Sequence, residues 1–120
     1  MATAAILTVA VAAAHSYLGE RYILIPLFRR SDLPKLLGST RFTQDTLRLV
    51  WHITTVAFLG FAALLGALAL PGGVAPRLLG WIIGTTYAVS GVVVLICSKG
   101  RHLSWIAFLT VAVLIFWVFR

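Results

Sequence analysis

WHITTVAFLGFAALLGALAL, residues Trp51–Leu70, contains no Asp, Glu, Lys or Arg in twenty positions. At 1.5 Å per residue, a helix of that length matches the hydrocarbon thickness of a bilayer, about 30 Å. Two further stretches repeat the pattern, Leu78–Cys97 and Leu103–Phe119, and a shorter one, Met1–Leu18, precedes them. Together they leave almost no chain to fold in water. Of the 120 residues, 61% are hydrophobic and 11% charged, and the mean hydropathy is +1.02. A soluble domain of this size cannot hide that much apolar surface, because a small globule leaves much of itself exposed. The expected fold is all-α: a single integral membrane domain, an antiparallel four-helix bundle.

The expected spans are residues 2–18 or 2–25, 46–70, 78–97 and 103–119, with 26–42 as an interfacial connection. Pro26 sets the later limit of the first span, because a residue before proline avoids helical geometry. Leu33-Pro34-Lys35-Leu36-Leu37 reads as a short interfacial helix with proline in its first turn. Thr43, followed by Gln44 and Asp45, reads as the N-cap of the second span. The breaker-rich Pro71-Gly72-Gly73-Val74-Ala75-Pro76 forces spans two and three into a hairpin. Met1–Ala14 lacks the leading positive charge of a secretory signal, so a retained first span is expected.

The net charge is +7, from ten Lys and Arg against three Asp and Glu. Arg21, Arg29, Arg30, Lys35, Arg41 and Arg48 cluster around the first connection, and Lys99 and Arg101 in the third. Only Arg77 and Arg120 fall at the other end. Positive connections stay in the cytoplasm, which places both termini on the outer side. Anionic headgroups then account for the basic balance better than nucleic acid does. Trp51 and Trp105 are expected at inner span ends, with Trp81 and Trp117 near outer ones, as indoles favour the headgroup boundary.

Small residues mark where helices approach closely. Gly80 and Gly84 stand at GxxxG spacing with Gly91 beyond, and span two carries Gly60 and Gly66. Either set could pack within the chain or join two copies. Span four is bulkier and is expected to face lipid on most sides.

All three histidines map to the inner half of the membrane. Counted at about 1.5 Å per residue from the outer ends, His52 and His102 lie roughly 27 Å down their spans and His15 roughly 20 Å. Cys97 ends span three near the level of His52 and His102. One reading is a polar pocket walled by His15, His52, His102 and Cys97, with Glu20, Arg21, Asp45 and Arg48 at its mouth. Imidazoles ligate haem iron or a transition metal, and intramembrane ionisable groups tend to mark sites. The other reading has each histidine hydrogen-bonded to a backbone carbonyl or a neighbouring hydroxyl. Glu20 with Arg21, and Asp45 with Arg48, are expected as local ion pairs. No carboxylate falls in the central thickness of a span, which weighs against a proton-coupled exporter, and no GxSxG or phosphate-cradling motif is present.

The segments His15-Ser16-Tyr17-Leu18-Gly19-Glu20-Arg21-Tyr22, Trp51-His52 and Gly100-Arg101-His102-Leu103-Ser104-Trp105 resemble those of short uncharacterised four-span proteins of the bacterial inner membrane. The resemblance implies residence in that membrane and brings no reaction or cofactor. The expectation is a non-catalytic accessory or scaffold subunit of a membrane complex, or a small homo-oligomer. A haem- or metal-binding redox protein and an oligomeric small-solute channel or transporter are the alternatives.

Overall fold

The computed structural model describes residues 1–36 and 38–120. Four helices account for most of them: α1 (Ala2–Phe28), α2 (Thr40–Ala67), α3 (Pro76–Cys97) and α4 (Ser104–Val118). The first three are long and apolar enough to cross a membrane, and α4 is a shorter apolar helix. At 1.5 Å per residue, its 15 residues reach only about 22 Å.

Helix α1 does not stop at Leu18 or Ile25. It is α-helical over Ala2–Leu18, widens into a π-helix over Gly19–Leu24, and resumes as Ile25–Phe28. The Ile25 N–H reaches back to the Glu20 carbonyl, five residues earlier. A wider turn suits Pro26, whose ring has no N–H to donate and would crowd the carbonyl four residues back in a regular helix. The proline is therefore carried through the helix.

The connection over residues 29–39 differs from expectation in the same region. Residues 33–36 are not helical, and Leu37 lies outside the described residues. The Pro34 carbonyl accepts a hydrogen bond from the Thr43 hydroxyl at 2.8 Å. Thr43 is buried within α2 rather than capping it; Ser39 holds the cap position. Arg30 and Asp32 clip the connection with two hydrogen bonds of 2.6 and 2.8 Å. The guanidinium holds the Asp32 carboxyl below its ordinary range. This clip contributes above the ordinary carboxylate pKa and is lost as pH falls through the depressed value.

The helices pack in chain order: α1 on α2, α2 on α3, α3 on α4. No substantial α1–α4 contact closes a ring. The molecule measures 56 × 31 × 15 Å, and four helices abreast at 8–10 Å between axes are about 30 Å wide. The radius of gyration is 16.8 Å, against about 14 Å for a compact chain of this length. The fold is an open row of helices with little interior. Leu24 and Val94 are the largest fully buried side chains, whereas Ile6 is 70% and Val113 64% exposed.

Two antiparallel seams hold the ends of the row. Along α3–α4, a Cβ added at Gly80 would overlap the Phe119 ring. At Gly84 it would meet Phe116 at 2.7 Å, and at Gly91 Leu109 at 2.8 Å. The glycine stripe of α3 thus receives the bulky face of α4 within one chain. Gly60 of α2 is used against Thr86 of α3, while Gly66 faces open space. Two hydroxyls of α3 bond their own helix, Thr86 to the Ile82 carbonyl and Ser90 to that of Thr86. Such internal partners satisfy a hydroxyl on an apolar helix where water is excluded.

Candidate functional site

The α1–α2 seam carries a continuous polar network. Trp51 lies against Gly19, where any Cβ would overlap its indole. From there the indole N–H donates to the His15 carbonyl at 3.1 Å. The His15 imidazole stacks on the same indole, with centroids 4.6 Å apart and planes 3° from parallel, and meets the Phe58 ring edge-on. Its Nε2 lies 2.8 Å from the Thr54 hydroxyl and 3.3 Å from the Trp51 carbonyl. A carbonyl only accepts, and Thr54 donates its own proton to that carbonyl at 2.6 Å. His15 Nε2 thus has two polar partners within the seam, Thr54 and the Trp51 carbonyl.

At the adjacent positions, Ser16 Oγ lies 2.9 Å from His52 Nδ1. His52 Nε2 is 3.4 Å from the Glu20 carboxylate, which is bound bidentately by Arg48 at 2.8 and 3.2 Å. The Arg48 guanidinium in turn lies 5.0 Å over the Phe28 ring. In this network both nitrogens of His52 have polar partners. Glu20 pairs across the seam with Arg48, not with Arg21, and Asp45 forms no salt bridge among the described residues. Adjacent positions on a helix do not face each other, which leaves Glu20 to the partner across the seam.

His15 and His52 thus line one seam from opposite helices. Residues 15 and 16 face residues 51, 52 and 54, so the depth offset of roughly 7 Å counted from the sequence is not seen. His102 belongs to a different place. It stacks on Phe42 at 6.3 Å and its Nδ1 lies 3.2 Å from Ser104 Oγ. With Asp45 and Cys97 it lines a cleft of about 640 Å³ between the start of α2 and the α3–α4 turn. Glu20 and Arg21 instead line a shallower pocket with Ser16 and His52. Among the described residues, no group of three His, Cys, Asp or Glu is placed to hold a metal ion. Trp51 is drawn into the seam, while Trp81 donates to the Phe119 carbonyl at 3.1 Å and closes the last turn of α4.

Sequence reasoning missed the cross-seam pair of Glu20 and Arg48. Both residues were noted as charges near the same end of their helices, but only the antiparallel register aligns them. Glu20→Gln should lower stability by about 1 kcal/mol, since the pair is partly exposed. A double-mutant cycle with Arg48→Met is expected to return most of that loss as coupling energy. Additive effects would show that the pair is not formed.

The fold and site define a class: an all-helical chain with three helices suited to crossing a membrane and a polar seam between the first two. No family model, curated protein or solved structure matches the chain.

Proposed function

We propose that the chain is a small bacterial inner-membrane protein acting as a non-catalytic accessory or scaffold subunit, or as a small homo-oligomer. The observation that carries this reading is the open row. A helix row one layer thick offers little enclosed space, and the polar network of the α1–α2 seam serves to hold those two helices together. Its two broad faces are apolar; one bears a groove of about 380 Å³ lined by residues including Ile53, Ala57, Phe61, Leu64, Ile83 and Tyr87. Such faces suit lipid and the helices of a second membrane protein, because association in a bilayer rests on close van der Waals fit.

The proposed orientation puts the connections at residues 29–39 and 98–103 in the cytoplasm and both termini outside. Antiparallel alternation brings both termini to one end, and the positive-inside rule selects the side. A periplasm-active reporter fused after Arg120 should be active, and the same reporter inserted after Arg30 silent. The reverse pattern would overturn this orientation. For the function itself, native purification in mild detergent followed by mass spectrometry is expected to recover a stoichiometric membrane partner or a defined oligomer. Recovery as a lone monomer would defeat the scaffold reading.

A further inference from the structure

The cleft that holds His102 gathers charge from two distant parts of the chain. Helix α2, with 28 residues, spans about 42 Å, and α3, with 22, about 33 Å. The first turns of α2 therefore stand beside the α3–α4 turn as a wall. Arg41 comes from that wall, and Lys99 and Arg101 from the turn; all three line the same cleft. Asp45 is the one carboxylate among the lining residues. Among the described residues none of these three cations forms a salt bridge, although Arg30 and Arg48 both do.

Three cations against the single carboxylate of Asp45 leave the cleft net positive, which raises its potential and favours a bound anion. The floor is apolar and aromatic, formed by Leu49 and the stacked Phe42 and His102. At the neighbouring span ends, Ile96 and Leu103 are 68% and 69% exposed. A basic cleft beside exposed apolar side chains suits a ligand with a phosphate at one end and hydrocarbon at the other. We propose that this cleft binds the phosphate of an anionic lipid headgroup through Arg41, Lys99 and Arg101. The inference rests on the membrane-spanning reading. It goes further than the positive-inside rule, which accounts for basic residues in a connection but not for a site confined to three of them.

The test uses the whole chain in detergent and native mass spectrometry with dioleoylphosphatidylglycerol, dioleoylphosphatidylcholine or inorganic phosphate. Wild type should retain phosphatidylglycerol at least fivefold over phosphatidylcholine. The variant R41Q/K99Q/R101Q should lose that preference, while R29Q/K35Q/R77Q, with the same charge removed elsewhere, should keep it. Asp45→Asn should strengthen retention about twofold or more, a gain that misfolding does not produce. Equal losses in the two triple variants, no preference in wild type, or no gain from Asp45→Asn would overturn the proposal. Displacement of the lipid by millimolar inorganic phosphate alone would assign the cleft to a soluble anion and overturn its lipid source. Alkaline carbonate extraction of the membranes separates the two readings: release of the chain defeats the membrane-spanning reading, whereas retention without lipid preference defeats only this site.

Discussion

Replacing Trp51 with alanine should cost about 3–4 kcal/mol and lower Tm in mild detergent by roughly 12–16 °C. Four interactions meet in that side chain: its fit against Gly19, its stacking on His15, its N–H bond to the His15 carbonyl, and the resulting placement of His15 against Thr54. The His15 carbonyl keeps a second donor, the Gly19 N–H, so the loss is one of packing more than of an orphaned acceptor. Trp51→Phe retains a stacked ring and removes the N–H, and should cost only about 1 kcal/mol. Circular dichroism melts would rank the three proteins. Equal Tm values for alanine and wild type would mean that the seam contributes nothing.

Replacing Gly84 with leucine should separate α4 from α3 at an expected cost of about 2 kcal/mol, a Tm fall of roughly 8 °C. The Cβ alone would lie 2.7 Å from the Phe116 ring, and Gly80 and Gly91 hold the same seam on either side. Phe116 cannot withdraw without disturbing Trp81, whose indole meets it edge-on at 6.1 Å. Gly66→Leu provides the contrast. It adds the same side chain to a helix interior where nothing lies within 4 Å, and should leave Tm within about 2 °C. A similar fall at both positions would point to helix chemistry rather than seam geometry.

Much of the architecture was legible because it depends on local properties. Uncharged runs near twenty residues, the breakers from Pro71 to Pro76, and glycines at GxxxG spacing are properties of short windows. The observed helices overlap all four runs, although α1 continues to Phe28 and α2 begins at Thr40, six residues before the expected span. Local signals failed where two segments compete for the same geometry. Pro26 reads as a stop, yet the π-helix before it accommodates the ring. Thr43 reads as a cap, yet its hydroxyl finds the Pro34 carbonyl. Arg48 has Asp45 three residues away on its own helix but takes Glu20, because the seam offers a bidentate approach that the local pair does not.

The histidines show the same boundary. Each was expected either at a ligand pocket or bonded to carbonyls and hydroxyls, and the sequence could not choose between these. The fold sets His15 and His52 among Thr54, Ser16 and Glu20, and His102 in a separate cleft.

By itself the sequence determined the class of the chain and the number of its helices, since burial of an apolar run depends on composition and length alone. Only the tertiary structure decided that the helices form an open row, that Glu20 takes Arg48 across the seam, and that Arg41 meets Lys99 and Arg101 in one cleft. The physical reason is that seam register and helix length act between segments about thirty to sixty residues apart. No short window of sequence contains both partners of such a contact.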